Sequence, residues 1–333
     1  MANVEFVIEF NDDFTSISYK GRVYKEASLL AFTKKGKNIK MQAFGNQAKK
    51  MLGKNDGVTW IESPFKYGTI NNMELAQLFL SSFIDFVIEK RNFATKIKAL
   101  FVCSCALDID EKRAFEILAI KCGINQVWFV PSVITYAVGN GADVLSPTGN
   151  FMVGIGAGCT EIACVSQGSI VNGYNIQLGG SVIDSALIDC INENFGIVIS
   201  NMTAEHIKNE IGSLHPSDIA NIQYQGIDAL TRVSKSGTVF AKDLYPVFSI
   251  AYDKICEAIN IVISQLSADL INDIAKNGIY VFGSASKVTG LESFLRKRLN
   301  IPVNIIEDEM TGVKGGVLLM DDKKLLNTLI DKN

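Results

Sequence analysis

The sequence predicts an α/β protein whose two halves begin alike. The opening runs VEFVIEF, FTSISY and RVYKEASLLAF alternate as strands do, with turns at NDD and KG between them. From Phe151 the pattern restarts with FMVGIG, TEIACVS and IVNGYNIQLGG. This second meander indicates an internal duplication, although meanders alone do not establish one. The turn-rich stretch SPTGN, residues 146–150, is the expected seam between the halves.

Helices and buried strands are predicted to follow each meander. In the first half we expect helices in AFGNQAKKMLGK, residues 72–91, DIDEKRAFEILAIKCG and VITYAVGNG, and strands in KIKALFVCSCAL and INQVWFVPS. Acids in the first turn of DIDEKRAFEILAIKCG and Gly123 at its end are typical helix boundaries. In the second half we expect helices in SVIDSALIDCINENFG, TAEHIKNEIGS and most of 242–277, then strand, loop and helix in NGIYVFGSASKVTGLESFLRKRL.

Composition restricts the classes of function. The chain has 333 residues, enough for two domains of ordinary size or one elaborated fold, and its 48% of hydrophobic residues are enough to bury a substantial core. A net charge of −3 argues against nucleic acid as the main partner, because phosphate neutralisation needs a basic surface. Seven cysteines without a CxxC pair, and two histidines, argue against zinc and for reduced thiols. MANVEFVIEF has no signal pattern and no apolar run reaches about 18–20 residues, so we expect a cytoplasmic protein.

Three loops that follow apolar strands have the composition of phosphate-binding loops. They are NDDFT after VIEF, GIGAGCTE after FMV, and GSASKVTG after IYVF. Glycine recurs in such loops because backbone N–H groups must converge on the anion without obstruction by side chains. Each loop is also compatible with an ordinary turn. Cys159 in the second loop is interpreted as a small loop residue rather than a nucleophile, since no histidine is expected beside it.

Longer segments resemble the MreB family of bacterial actin-like filament proteins, in collinear order along nearly the whole chain. GIGAGCTEIACVS resembles the family pattern DIGGGTTEVAVIS, and TAEHIKNEIG resembles TAEEIKKEIG. AFGNQAKKMLGK, DIDEKRAFEILAIKCGINQVWFV and GIYVFGSASKVTGLESFL resemble vGdeAkkMlGr, TeVErrAvreaaeqAGarevyli and giyltGGGALLrGLd. The resemblance implies an actin-like, duplicated ribonuclease-H-like fold with two lobes around a central nucleotide cleft.

The same resemblance implies a domain organisation. Domain I would comprise residues 1–147 and 312–333, with a small subdomain at about 20–70. Domain II would comprise residues 148–311, with a small subdomain at about 182–242.

The resemblance also implies a site for ATP and Mg²⁺. Its first phosphate hairpin would contain Asn11, Asp12 and Asp13. The remaining implied contacts are a second phosphate hairpin and an adenosine region, formed by Gly156, Ala157, Gly158, Cys159 and Thr160, and by Glu205, Lys208, Gly283, Ser284, Ala285 and Ser286.

Departures from the family pattern are concentrated in this implied site. The first hairpin, DLGTANT in the family, is EFNDDFT here, and the adenosine GGG is GSA. Gly154 replaces the leading acid of the second hairpin. Ser132 or Pro131 stands where the family pattern EEP-M-AAAIG has a water-orienting glutamate. Glu9 and Asp12 are the remaining candidates for holding the metal.

These replacements predict weak or altered nucleotide binding and weak or lost hydrolysis. A carboxylate about 4 Å from a phosphate, with no cation between them, costs roughly 4 kcal/mol, which is about a thousandfold in affinity. Loss of the group that orients the attacking water commonly costs about 10²–10⁴ in rate. Ser132 and Gly154 stand where the family pattern has acids, so the sequence predicts no catalytic residue.

The resemblance implies an MreB-like cytoskeletal or scaffolding protein in cell-shape determination. Such a protein would self-associate or coassemble with other MreB-like proteins, contact cell-shape and wall-synthesis proteins, and lie at the inner face of the cell membrane. Phe93, flanked by Lys90, Arg91 and Lys96, is the candidate for peripheral membrane contact, with a packed loop aromatic as the alternative. The run LRKRL, residues 295–299, is interpreted as a solvated helix face rather than a patch for acidic lipid or a partner.

Two other classes remain as alternatives. The first is a functional ATP-binding, ATP-hydrolysing actin-like filament protein, or a sugar-kinase-like relative on the same fold. It requires a metal anchor and a base, which Gly154 and Ser132 do not supply. The second is a chaperone of the heat-shock type. It is the least favoured, because that family carries a further substrate-binding region after the nucleotide domain.

Overall fold

The chain forms two compact units. A computed structural model describes residues 3–36, 38–53, 57–89 and 95–330. Unit 1 comprises Met1–Met152, Ala163–Gly173 and Asp308–Asn333 within the described part of these ranges, and unit 2 comprises Val153–Ile162 and Tyr174–Glu307.

Unit 1 is built around one five-stranded sheet. Its strands up to the first unit boundary are β1 (Asn3–Phe10), β2 (Phe14–Tyr19), β3 (Arg22–Ala27), β4 (Leu30–Lys35), β5 (Asn38–Phe44), β6 (Thr59–Glu62), β7 (Phe65–Lys66), β8 (Thr69–Ile70), β9 (Lys96–Cys103) and β10 (Gln126–Pro131). The main sheet has the order β10-β9-β1-β2-β3, in which β1, β2 and β3 are antiparallel neighbours and β9 runs parallel to β1 and β10. A three-stranded sheet, β5-β4-β6, and the β7–β8 hairpin complete the strands of this region.

Each of the two units contains helices. They are α1 (Gly45–Lys49), α2 (Met73–Val87), α3 (Ile109–Lys121), α4 (Ser132–Gly139), α5 (Gly180–Phe195), α6 (Asn201–Ile211), α7 (Ala241–Ser264), α8 (Ala268–Asn277), α9 (Leu291–Leu299), α10 (Thr311–Asp321) and α11 (Lys323–Ile330). Helices α1–α4, α10 and α11 lie in unit 1, and α5–α9 lie in unit 2. In the described ranges, no helix combines the length and the apolarity needed to cross a bilayer.

The second half of the chain repeats the sheet topology of the first half. The strands from residue 150 onward are β11 (Asn150–Ile155), β12 (Thr160–Ser166), β13 (Ser169–Ile176), β14 (Ile197–Val198), β15 (Asn221–Asp228), β16 (Ser234–Phe240), β17 (Ile279–Phe282) and β18 (Val303–Ile305). The larger sheet has the order β13-β12-β11-β17-β18. In each half a meander of three strands is extended by two later strands on the side of its first strand. This shared order confirms the predicted duplication.

An aromatic cluster fixes the end of β1 in the unit 1 core. The ring of Phe10 packs against Phe101, Phe115 and Phe65, with centroids 4.9, 5.1 and 5.2 Å away. All four side chains are buried. Because Phe10 is the last residue of β1, this packing holds the strand immediately before the loop that contains Asn11.

Helices α4 and α10 approach each other through glycine. A Cβ atom added to Gly315 would lie 1.8 Å from the carbonyl oxygen of Thr135, and one added to Gly139 would lie 2.2 Å from the carbonyl oxygen of Thr311. Both obstacles are backbone atoms, which cannot move aside as a flexible side chain can. The helices therefore pack backbone against backbone, and this contact sets the position of α4 in unit 1.

Three features differ from the sequence prediction. The run RVYKEASLLAF is two strands, β3 and β4, which belong to different sheets. They separate at a turn in which the N–H of Leu29 donates to the carbonyl of Ala27 at 2.7 Å. The helix predicted over residues 72–91 ends at Val87, because Ile88 adopts extended backbone with φ −102° and ψ 94°. The sheet β14-β15-β16 has no counterpart in the prediction.

The Gly315→Ala substitution tests the contact between α4 and α10. We expect it to lower the free energy of unfolding by about 1–3 kcal/mol, because the added methyl group forces two backbones apart. This loss outweighs the gain of roughly 1 kcal/mol that alanine has over glycine in a helix. Urea denaturation measures the difference. The control Leu318→Ala changes an exposed side chain of the same helix, and equal effects of the two substitutions would contradict the proposed contact.

Candidate functional site

The first predicted hairpin is a tightly held loop in unit 1. Asn11, Asp12 and Asp13 connect β1 to β2. The hydroxyl of Ser28 donates to the carbonyl of Asn11 at 2.7 Å, and the N–H of Ser28 donates to the carbonyl of Asp13 at 3.1 Å. The N–H of Asn11 donates to the carbonyl of Phe14 at 2.9 Å. The structure thus brings the three predicted residues together on a fixed backbone.

The carboxylate of Asp12 binds the backbone of the β7–β8 hairpin. It accepts hydrogen bonds from the N–H of Tyr67 at 2.6 Å and of Gly68 at 2.9 Å. These two turn residues have φ values of 56° and 77°, so both lie in the left-handed region. Burial raises the pKa of Asp12 above its ordinary value, and the two N–H donors partly oppose that rise. Asp12 therefore has a structural role that the sequence did not reveal.

Glu9 lies in a different environment from Asp12. It is buried in β1, and its Oε1 atom is 3.0 Å from the position that a Cβ atom on Gly312 would occupy. The ring of Tyr136 borders the same position at 2.4 Å. Glu9 therefore faces α10 and α4, whereas Asp12 faces the β7–β8 turn. The assignment of Glu9 and Asp12 to a common metal stays a prediction.

Ser132 is the first residue of α4. It is buried, and its carbonyl accepts a hydrogen bond from the hydroxyl of Thr135 at 2.9 Å. Pro131, the last residue of β10, precedes it. A serine hydroxyl near neutral pH cannot act as the carboxylate base that a glutamate would provide.

The second predicted hairpin caps a helix in unit 2. Its carbonyls at Gly156 and Ala157 accept from the N–H groups of Gly180 at 3.0 Å and Ser181 at 2.8 Å, in the first turn of α5. The hydroxyl of Thr160 donates to the carbonyl of Leu178 at 2.6 Å. Within the described ranges, the N–H groups of Ala157 and Gly158 have no hydrogen-bond acceptor. The hairpin therefore keeps two adjacent donors available for an anion.

A glycine pair makes this capping possible. A Cβ atom on Gly179 would lie 2.5 Å from the carbonyl oxygen of Gly156 and 2.6 Å from that of Ala157. Only glycine allows this approach of the hairpin to α5. Sequence reasoning did not assign Gly179 or Gly180 to the site, although the pair in IQLGG was the available signal.

Lys208 reaches the hairpin region from α6. Its ammonium group is 2.8 Å from a carboxylate oxygen of Asp184 and donates to the carbonyl of Gly180 at 3.1 Å. The side chains of Lys208 and Asp184 are only 10% and 14% exposed. Glu205, half-buried, lies one turn earlier on the same helix. Sequence reasoning missed Asp184, whose position beside Lys208 depends on the packing of α5 against α6.

The predicted adenosine loop lies beside the same group of residues. Gly283 has φ 101°, and a Cβ atom there would lie 2.4 Å from the carbonyl oxygen of Ile155. A 3₁₀ turn, Ser284–Lys287, follows, and the hydroxyl of Ser286 donates to the carbonyl of Gly283 at 2.7 Å. The buried hydroxyl of Tyr252 donates to the carbonyl of Ala285, and burial raises the pKa of Tyr252.

Gly180 is the point where the unit 2 residues meet. A Cβ atom added there would lie 3.0 Å from Lys208 Nζ, 3.7 Å from Ala285 Cβ and 3.8 Å from Ala157 Cα. The structure therefore brings the second hairpin, Lys208 and the predicted adenosine loop together around Gly180, and their assignment to one nucleotide site stays a prediction.

The position of the expected acid at Gly154 is filled by an aromatic ring. A Cβ atom on Gly154 would lie 2.6 Å from the ring of Phe282, which is buried at the end of β17. A larger residue such as aspartate would meet the same ring. Sequence reasoning identified the loss at Gly154 but not the role of Phe282, because the two residues are distant in the chain.

The residues of the second hairpin have groups that suit a nucleotide phosphate. In unit 2 the free N–H groups of Ala157 and Gly158 and the ammonium of Lys208 are suitable partners for an anion. Mg²⁺ requires oxygen ligands, commonly one or two carboxylates. Nowhere in the described part of the chain do three His, Cys, Asp or Glu side chains group as metal ligands.

Fold and site together define an actin-like protein. The structure of MreB5 of Spiroplasma citri bound to AMPPNP matches this chain with a TM-score of 0.91 at 25% identity, covering 98% of this chain and 99% of that chain. A MamK double helical filament shares the fold, with a TM-score of 0.80 at 16% identity over 96% of this chain and 99% of that chain. These matches confirm the predicted fold class.

Within that class, the chain belongs to the MreB/Mbl family. The sequence model of the MreB/Mbl protein family matches residues 14–327. The cell shape-determining protein MreB of Escherichia coli (strain K12) is 28% identical over 321 residues, covering 95% of this chain and 92% of the relative. The family predicted from the collinear motifs is therefore confirmed.

The raised pKa of Asp12 predicts a specific pH dependence, which Asp12→Asn tests. The folded chain holds the Asp12 proton more tightly than the unfolded chain, whose aspartate has a pKa of about 3.9. The contribution of Asp12 to stability is therefore greatest at low pH and falls as the pH rises through the raised pKa. Urea midpoints compared at pH 3.5 and pH 7 should show that the wild type loses stability relative to Asp12→Asn. A relative gain would contradict the assignment.

Gly154 and Phe282 are expected to be energetically coupled. Gly154→Ala should cost about 1–3 kcal/mol, because the methyl group meets the ring. Phe282→Leu, which shortens that side chain, should cost about 1–3 kcal/mol by itself because it leaves a cavity. In the double variant the smaller side chain accommodates the methyl group. The combined loss should therefore fall short of additivity by about 0.5–3 kcal/mol in urea denaturation, and strict additivity would exclude the contact.

Proposed function

We propose that this protein is a cytoskeletal protein of cell-shape determination that assembles into filaments. The family match over residues 14–327 carries the proposal. The E. coli relative is a cell shape-determining protein, and MamK with the same fold has been solved as a double helical filament. Self-association, coassembly with other MreB-like proteins, and contact with cell-shape and wall-synthesis proteins belong to the same proposal.

The nucleotide is proposed to be ATP or ADP. The available N–H groups of Ala157 and Gly158 support phosphate binding at the second hairpin. Glu205, Lys208 and the loop from Gly283 to Ser286 are proposed to contact the adenosine. Asn11, Asp12 and Asp13, on the first hairpin, are proposed to contact the phosphates. MreB5 of S. citri, the structural relative, has been solved with ADP and with AMPPNP.

Hydrolysis is proposed to be weak or lost. Two positions support this proposal, and each lacks the expected acidic side chain in a different way. Ser132 supplies a hydroxyl where a water-orienting carboxylate is expected. Gly154 has no side chain, and the ring of Phe282 fills the adjacent space. A working ATPase remains the alternative, supported by the available backbone donors and contradicted by these two positions.

The domain assignment and the cellular location also remain proposals. We propose actin-like domains at residues 1–147 with 312–333 and at 148–311, with small subdomains at about 20–70 and about 182–242. We propose a cytoplasmic protein that contacts the inner face of the membrane peripherally. Phe93, the proposed membrane contact, lies outside the described residues.

Thermal melting with nucleotide tests the proposed binding. ATP or ADP at 100 times its dissociation constant should stabilise the folded chain by about 2.7 kcal/mol, seen as a rise in melting temperature. Ala157→Asp should abolish that rise, because its carboxylate would lie beside the two available N–H groups and repel phosphate. The matched control is Ala275→Asp, an exposed position on α8 that should retain the rise. A flat wild-type melt at millimolar nucleotide would exclude the binding site.

Separate assays test hydrolysis and assembly. Phosphate release from magnesium-ATP should stay near background. Steady turnover would overturn the proposed loss of hydrolysis and leave the filament proposal intact. High-speed sedimentation and electron microscopy should show filaments with nucleotide, lipid or both. A chain that stays monomeric under all these conditions would contradict assembly.

A further inference from the structure

A mostly buried ion pair lies beside the second hairpin in unit 2. A carboxylate oxygen of Asp184 is 2.8 Å from the ammonium nitrogen of Lys208, and the two side chains are only 14% and 10% exposed. Asp184 belongs to α5 and Lys208 to α6, so the pair joins these helices. Lysine and aspartate are seldom removed from water to this extent unless they are paired, because a buried charge without a partner is costly.

The partners of Lys208 fix the direction of its ammonium group. Of its three N–H donors, one donates to Oδ2 of Asp184 at 2.8 Å and another to the carbonyl of Gly180 at 3.1 Å. Gly180 belongs to the first turn of α5, whose N–H groups bind the carbonyls of the second hairpin. Two hydrogen bonds therefore hold the ammonium group beside the hairpin, and one N–H remains for a ligand.

Asp184 cancels a charge that would otherwise act on the hairpin. The position of a Cβ atom on Gly180 is 3.0 Å from Lys208 Nζ and 3.8 Å from Ala157 Cα. The ammonium group is therefore no farther from Ala157 than the sum of these distances, which is less than the Debye length of about 8 Å at 0.15 M salt. An unpaired ammonium group at this place would attract phosphate. With the carboxylate of Asp184 against it, the pair as a whole is neutral.

We propose that Asp184 is a positioning residue that directs Lys208 to the nucleoside of a bound nucleotide and prevents Lys208 from attracting the phosphates. The proposal rests on the proposed nucleotide binding. A neutral pair with one directed N–H suits an uncharged acceptor, such as a ribose hydroxyl or a ring nitrogen of the base. The phosphates are left to the backbone N–H groups of Ala157 and Gly158. The pair therefore contributes to affinity for the nucleoside whether or not phosphates are attached.

The relative affinity for ATP and adenosine tests the role of Asp184. Competition against fluorescent mant-ADP on the full chain, without added magnesium, gives the dissociation constants of both ligands. Asp184→Asn leaves the charge of Lys208 unpaired, so the preference for ATP over adenosine should rise by about fivefold or more at low salt. The rise should shrink at about 1 M salt, where the Debye length is about 3 Å. Loss of a merely structural contact would weaken both ligands equally and leave the preference unchanged.

A double variant and a matched control complete the experiment. Asp184→Asn with Lys208→Met removes both charges, so the preference should return to within about twofold of the wild type, while adenosine should bind about fivefold more weakly because the directed N–H is lost. This variant buries no unpaired charge, so it tests the proposal even where Asp184→Asn does not fold. The control Asp228→Asn removes the carboxylate that pairs with Lys235 between β15 and β16, and it should leave the preference unchanged.

The outcomes separate this proposal from the proposed nucleotide binding. An unchanged preference in Asp184→Asn, or an equal rise in Asp228→Asn, would overturn the role of Asp184. A lower preference for ATP in the double variant would show that Lys208 attracts phosphate despite its partner, and undiminished adenosine affinity there would show that Lys208 does not contact the nucleoside. Either result also overturns the proposal. A wild type that binds neither adenosine nor ATP would overturn nucleotide binding itself, and this proposal with it.

Discussion

Backbone contact at glycine is the constraint on which both units depend. In unit 1, Gly315 lets α10 lie against the carbonyl of Thr135 on α4. In unit 2, Gly179 lets the hairpin lie against α5, so that the carbonyls of Gly156 and Ala157 cap the helix. No other residue type fits at either contact without displacing backbone. The start of α4 and the tip of the hairpin are therefore held by the protein itself, before any ligand binds.

The proposed nucleotide binding and the proposed loss of hydrolysis depend on different groups. Backbone N–H groups at Ala157 and Gly158 can interact with an anion without the help of a charged side chain. Hydrolysis depends on side chains that orient water and hold the metal. At Gly154 that side chain is absent, and the ring of Phe282 occupies the adjacent space in the core. An acid at this position would require the ring to move, so the packing at Gly154 supports the proposed loss of hydrolysis.

The sequence predicted what depends on local pattern. Both meanders, the hairpin from Gly156 and most helices follow from alternation, helical spacing and glycine in neighbouring residues. The sheet β14-β15-β16 was missed because its strands are largely polar and partly exposed, as in SKSGTVF, which weakens the alternation signal. The boundary between β3 and β4 was missed because strand propensity continues across Ser28 and Leu29.

Contacts between distant residues explain the remaining gaps in the site. The pairing of Lys208 with Asp184 depends on the packing of α5 and α6. The contact between Phe282 and Gly154 joins strands that are more than a hundred residues apart in the sequence. Neither spacing nor composition specifies such contacts. The proposed nucleotide residues were therefore assigned through family resemblance, and the residues packed around them were found only in the structure.

The position of Asp12 changes the electrostatic argument against nucleotide binding. The sequence-based penalty of roughly 4 kcal/mol assumed an unpaired carboxylate close to a phosphate. In the structure the Asp12 carboxylate accepts hydrogen bonds from the N–H groups of Tyr67 and Gly68, and these donors offset part of its negative charge. Its raised pKa further favours the neutral form relative to an exposed aspartate. Asp12 is therefore a weaker obstacle to a phosphate than the sequence implied, whereas the loss at Gly154 stands unchanged. Reduced hydrolysis is thus better supported than reduced binding.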